Sequence, residues 1–163
     1  MMEKKIDRRT VLGAAGAGLV GLTFLRMPGR SEAATFKVMH SDAEWKRILG
    51  PQRFYVLRQA GTERPFTSSL LKAHRQGVFT CAGCAQPLFS SATKFESGTG
   101  WPSFWKALPG AIKERSDRSL VFERTETLCA RCGGHLGHVF NDGPRPTGLR
   151  YCMNGLALNF RAA

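Results

Sequence analysis

The sequence predicts a mainly β fold of the α+β kind, in which a few short N-terminal helices precede a run of antiparallel strands. Three observations carry this prediction. Helix-like stretches with their own start and stop signals are confined to the region before residue 78. Beyond it, short segments rich in β-branched and aromatic residues alternate with Gly and Pro, and several alternate apolar with polar side chains. Hydrophobic residues make up 42% of the chain and eleven are Phe, enough for a packed core without cross-links.

Taken in order, Ser41 with Glu44 three residues later forms a capping box for a helix to about residue 49, where Gly50-Pro51 stops it. A second helix is expected over 52–59, ending at Ala60-Gly61. A third starts near Thr67 and runs through LLKAHRQ, with Gly77 as its left-handed terminating residue. Strands follow at 78–81 (VFTC), 87–89 (PLF), 111–115 (AIKER), 119–128 (SLVFERTETL), 135–140 (HLGHVF), 149–154 (LRYCMN) and 156–160 (LALNF).

Residues 1–34 stand apart as a candidate export signal. Lys4, Lys5, Arg8 and Arg9 precede an uncharged, Gly/Ala-rich stretch over 11–25, and the segment Ser31-Glu32-Ala33-Ala34 offers, in Ser31, Ala33 and Ala34, the small residues a signal peptidase needs. Arg8-Arg9-Thr10-Val11-Leu12 resembles a twin-arginine signal. The fifteen-residue apolar run falls short of the roughly 20 residues that span a bilayer, so cleavage after Ala33 or Ala34 is expected, with an uncleaved membrane anchor as the alternative. Residues 35–163 then form one domain, exported to a periplasm or its equivalent. The formal net charge is +12, but no run of five basic residues occurs. A solvated basic surface is expected, and no nucleic-acid partner.

Five cysteines are present, four of them in two Cys-x-x-Cys pairs: Cys81 with Cys84, and Cys129 with Cys132. Such spacing lets both sulfurs of a pair face one tetrahedral ion, and Gly83 and Gly133 suit the tight turns required. The pairs predict one structural zinc ion that ties the early β segment to the middle one. Two disulfides, or a thioredoxin-like redox pair, are the alternatives, although the βαβ setting of the latter is missing.

That leaves Cys152. On a strand, side chains two apart share a face, so Arg150, Cys152 and Asn154 point one way while Tyr151 and Met153 point towards the core. A guanidinium beside a thiol favours the thiolate. A Gly-rich segment adds His135, His138 and Asp142, groups suited to proton transfer, and SGTGWPSFW (97–105) places Trp101 and Phe104 as walls of an apolar pocket. His40 and His74 stand apart and read as surface residues.

Together these stretches are similar to the B-type methionine-R-sulfoxide reductases. The resemblance rests on RQAGTERPF (58–66), CAGC (81–84), KFESGTGWPSF (94–104), CARCGGHLGHVFNDGPRPTGLRYCMN (129–154) and LALNF (156–160), and spans about residues 40 to 161. It implies two antiparallel sheets with short N-terminal helices. By that resemblance Cys152 is the nucleophile, converted to a sulfenic acid; His138 protonates the sulfoxide oxygen; His135, Asp142, Arg150 and Asn154 support them; Trp101 receives the S-methyl group; and Cys81, Cys84, Cys129 and Cys132 hold Zn2+. The implied substrate is oxidised protein methionine. Thr99 occupies a position where many members carry a resolving cysteine, so the reductant is expected to be an external thioredoxin-like protein or small thiol acting directly on Cys152. Gly155 stands where Ser is common. A monomer is expected, meeting a membrane only through export or an uncleaved signal. A zinc-bearing binding module with an aromatic cage, and a zinc-ribbon nucleic-acid binder, are the competing classes. A cage needs no nucleophile, and export and the long gap between the pairs argue against the ribbon.

Overall fold

In the computed structural model, which describes residues 36–119 and 123–163, the capping box expected at Ser41 is formed. Glu44 N donates to Ser41 Oγ at 3.3 Å and Ser41 N donates to Glu44 Oε2 at 2.8 Å. Helix α1 (Asp42–Gln59) is broken at Gly50, whose φ of 68° and ψ of 172° are not helical, so it is two helical segments joined by a kink ahead of Pro51. Trp45, Leu49, Phe54, Val56 and Leu57 are its buried residues.

The expected third helix does not form. Only a 3-10 turn, Ser69–Lys72, occupies that stretch; none of its residues is fully buried, and Leu70 and Ala73 pack only partly against the core, too little to hold a longer helix. Gly77 opens a strand instead: it pairs with Ala162, and a Cβ there would meet Arg161 O at 2.3 Å. The export signal expected over 1–34, and part of the strand expected over 119–128, lie outside the described residues.

Two antiparallel sheets follow. In the first, β1 (Gly77–Cys81) pairs with β2 (Pro87–Ser90) and β9 (Leu158–Ala162), in the order β2-β1-β9. The second adds β3 (Lys94–Phe95), β4 (Ser103–Phe104), β5 (Ile112–Asp117), β6 (Arg124–Cys129), β7 (His135–Phe140) and β8 (Arg150–Met153), in the order β3-β4-β8-β7-β6-β5. The two-residue strands β3 and β4 are too short to show any alternation in the sequence.

Side chains from both sheets and α1 share one core. Phe104 of β4 stacks on Phe89 of β2 at 4.4 Å and meets Phe79 of β1 edge-on at 4.9 Å. Tyr151 and Met153 are buried, as the alternation of β8 predicts. The two Cys-x-x-Cys turns close β1–β2 and β6–β7, so they sit one on each sheet.

These turns are built alike. Ala85 N donates to Cys81 O at 2.8 Å, and Gly133 N to Cys129 O at 2.9 Å. The residue after the second cysteine is left-handed in both, at φ 59° for Ala85 and 68° for Gly133. Gly133 therefore has the expected turn role, whereas on the first turn the strained position is Ala85 and not Gly83.

Candidate active site

A transverse row of side chains crosses the six-stranded sheet. Register pairs Arg115 with Glu126, Glu126 with His138, His138 with Cys152, and Cys152 with Ser103. Directly paired residues share a face, so Ser103, Cys152, His138 and Glu126 line up on the side away from the aromatic core. By the same alternation Phe104 must face the opposite way. It is fully buried against Phe79 and Phe89 and does not line the pocket, which corrects its expected place in the substrate wall.

His135 and His138 are three apart, and strict alternation would send them to opposite faces. The register shift between Thr127 and Leu128 inserts Leu136 as an extra residue on β7. Leu136 is fully buried, and the two imidazoles come to 5.5 Å between ring centres. Gly137 lies within this irregularity. A Cβ there would stand 2.1 Å from Cys152 O, so a glycine is needed for β7 to approach β8 next to the nucleophile candidate.

Cys152 opens onto a cavity of about 120 Å³ whose walls include Thr62, Trp101, Arg124, His138, Phe140 and Asn154. Trp101 is fixed by its indole, which donates to Glu63 O at 3.1 Å. Thr99 Oγ1 stands 3.7 Å from Cys152 Sγ. Burial pushes the Cys152 thiol up from its ordinary value; Thr99, then Arg150 as expected and Ser103, pull it down without prevailing.

The imidazoles are each held by a carboxylate. His138 Nε2 lies 2.8 Å from Asp117 Oδ2, which also accepts from Arg124 at 2.6 Å. Hydrogen bonds from Ser119 and then His138 hold Asp117 well below the usual carboxylate range, so it is the acceptor and Nε2 carries the proton. His138 is itself lowered, by burial first, with the Asp117 hydrogen bond opposing. His135 Nδ1 lies 2.7 Å from Glu126 Oε1, and Arg115 donates to Oε2 of the same carboxylate at 2.6 and 2.9 Å. Burial pushes Glu126 up, but these two partners outweigh it and the net direction is down.

The remaining expected residues each have a polar partner of their own. Asp142 takes a two-point hydrogen bond from Arg150, at 2.8 Å on each oxygen, and touches neither histidine. Arg150 carries its guanidinium carbon over the Phe140 ring at 4.4 Å, which helps to hold it beside Cys152. Asn154 is buried: its Oδ1 accepts from Glu63 N at 2.9 Å and its Nδ2 donates to Leu136 O at 3.2 Å.

Four contributors were not foreseen: Glu63, Asp117, Arg124 and Glu126. Asp117, Arg124 and Glu126 sit among ordinary alternating strand charges, and only the pairing of β5, β6 and β7 reveals them. Glu63 lies inside a matched stretch, RQAGTERPF, that had no assigned role. Its buried carboxylate accepts from Gly155 N at 2.5 Å and Leu156 N at 2.9 Å, while its backbone holds Trp101 and Asn154.

The four paired cysteines converge. Their sulfurs all lie within 4.8 Å of one another, with Cys81 and Cys132 at 3.7 Å and Cys84 and Cys129 at 3.5 Å. Those gaps are far too long for disulfides and close to the ~3.8 Å edge of a tetrahedron with 2.3 Å metal–sulfur bonds. Both sheets contribute two sulfurs, and Arg58 of α1 braces the second turn by donating to Cys132 O at 3.0 Å. The arrangement fits a metal ion held by four thiolates.

Residues 49–162 match the SelR domain family. Among curated proteins the chain is similar to a Methanosarcina barkeri protein named "Peptide methionine sulfoxide reductase MsrB", 54% identical over 76% of this chain and 88% of that one. It is equally similar, at 54% identity over 77% of this chain and 97% of the relative, to the protein of that name in Leptospira interrogans. A third, from Agrobacterium fabrum, is 50% identical over 80% of this chain and 97% of its own length.

Proposed function

The chain belongs to the SelR domain family, that of the MsrB peptide methionine sulfoxide reductases, and from that membership we propose that Cys152 is the residue that reduces the sulfoxide. The enzyme class is peptide-methionine (R)-S-oxide reductase, an oxidoreductase that returns methionine sulfoxide to methionine. One observation carries the mechanism: Cys152 opens onto a cavity walled by Trp101 and stands in register with a histidine held by an ionised carboxylate.

A cavity of about 120 Å³ walled by Trp101 and Phe140 suits the methylsulfinyl end of a side chain. The S-methyl group lies against Trp101 and Phe140. Cys152 loses its proton to the free Nδ1 of His138, and Asp117 stabilises the imidazolium through Nε2. The thiolate attacks the sulfoxide sulfur while His138 returns the proton to the sulfoxide oxygen. Oxygen passes to Cys152, giving a sulfenic acid, and methionine leaves as the thioether. An external thiol, from a thioredoxin-like protein or a small molecule, attacks the sulfenic acid, forming a mixed disulfide and water. A second thiol regenerates the Cys152 thiol and carries away the disulfide.

Cys81, Cys84, Cys129 and Cys132 hold one zinc ion in this reading, which supplies a structural tie and no open position for substrate. Export rests on the layout of residues 1–34, and a periplasmic site of action follows from it.

The test is turnover of the two epimers of a chromophore-tagged methionine sulfoxide with a dithiol reductant. Consumption of the R epimer alone, and its loss to background in Cys152→Ser, are expected. Activity retained by Cys152→Ser sinks the assignment. Mass spectrometry after one turnover without reductant should show a single added oxygen on Cys152.

A further inference from the structure

Beside Cys152 the structure contains a chain of three hydroxyls that the reaction described above leaves without a task. Ser103 Oγ lies 3.2 Å from Trp101 O and 2.7 Å from Ser97 Oγ. Ser97 Oγ lies 2.8 Å from Thr99 Oγ1, which stands 3.7 Å from Cys152 Sγ. Thr99 N approaches the same Ser97 oxygen at 3.4 Å. Ser103 is buried and is the register partner of Cys152, so both ends of the chain return to the same sulfur.

Each hydroxyl has one proton to give, and this fixes the possible directions. With Cys152 as a thiol, the S–H donates to Thr99, Thr99 to Ser97, Ser97 to Ser103, and Ser103 to the Trp101 carbonyl. With Cys152 as a thiolate, the direction reverses: Thr99 donates to sulfur and Ser97 to Thr99, which leaves the Ser103 proton free for Ser97 or for the sulfur. No atom need move more than a hydroxyl rotation. We propose that Thr99 is a catalytic hydrogen-bond donor to the Cys152 sulfur, and that Ser97 and Ser103 are positioning residues that let its hydroxyl reverse direction when the sulfur becomes charged. This role rests on Cys152 being the nucleophile, as proposed above. Thr99 is therefore a working group, beyond merely occupying a place where a second thiol could stand.

The charged and titratable groups that face Cys152 from neighbouring elements are Arg150 on its own strand, His138 with its partner Asp117, and Arg124 in the cavity wall. Burial dominates the thiol, and the Thr99 hydroxyl and the Arg150 guanidinium both favour the thiolate. Removing the hydroxyl should therefore show against a background of fixed positive charge.

The experiment is the pH dependence of Cys152 alkylation by iodoacetamide, followed by peptide mass spectrometry on the full domain. In Thr99→Val the apparent pKa should rise and the rate at neutral pH fall by about tenfold, the scale of one hydrogen bond to a charged group. Thr99→Ser, which keeps the hydroxyl, should follow the wild type. Ser97→Ala should give a smaller shift in the same direction, since it leaves the donor but not its orientation. A wild-type profile in Thr99→Val, or equal shifts in Thr99→Ser and Thr99→Val, overturns the proposal. The readout needs no turnover, so it separates failure of the hydroxyl chain from failure of the sulfoxide reading: in the latter case the wild type alkylates as described yet consumes neither epimer.

Discussion

Cys152 and Phe104 lie near each other in the fold and illustrate how far a single position can be understood from its neighbours. Alternation along RYCM correctly separates Tyr151 and Met153, which are buried, from Cys152, which opens onto the cavity. The same logic applied to PSF would have turned Phe104 inward, but β4 is only two residues long and the loop around it carries no period to read. Phe104 packs between the two sheets, so Phe104→Ala should cost about 3–5 kcal/mol in urea unfolding. Its KM for the sulfoxide should stay within twofold of wild type at temperatures where it is folded; a large rise in KM with stability intact would return Phe104 to the pocket. The sequence shows only part of what acts on the thiol. A nearby arginine is visible in the sequence, but burial of the sulfur is not, and burial is the larger effect on Cys152.

At the level of strands, HLGHVF was legible as a strand from end to end, yet its two histidines share a face only because of the extra residue at Leu136. Nothing in the composition of the segment announces that irregularity except Gly137. Helix α1 shows the opposite balance: its capping box and its break at Gly50 follow from local signals alone. The stretch 67–77 failed as a helix because propensity with only a partly buried Leu70 and Ala73 beneath it does not hold one. Gly137→Ala places a methyl against the Cys152 carbonyl and should destabilise the protein by about 1–3 kcal/mol, the range for forced overpacking. Activity should fall further than stability explains, because relief requires β7 and β8 to separate where His138 faces Cys152. Urea titration and R-sulfoxide turnover on the same sample check both parts; a fully active, fully stable variant would show that the approach of the strands is not needed.

For the whole molecule, the paired cysteines were readable as a unit, and what the sequence withheld was which parts they join. Two of the sulfurs close a turn of the three-stranded sheet and two close a turn of the six-stranded sheet, so an ion held at their centre would link the layers across the core. Metal analysis should find about one zinc per chain. Stripping it with a strong chelator, or Cys129→Ser, should lower the melting temperature by ten degrees or more, with loss of near-ultraviolet signal from Trp45, which lies against Gly83 of the first turn and reaches the second through Arg58. An unchanged melt after confirmed metal removal would leave the cluster without a stabilising task. The transverse row from Arg115 through Glu126, His138 and Cys152 to Ser103 has a further consequence for anyone wishing to transplant this chemistry. Copying the Cys, the two His and their spacing onto a regular hairpin would put one imidazole on the wrong side of the sheet and leave the other without its carboxylate. The smallest portable unit is five adjacent strand segments, with one deliberate miscount in the middle strand.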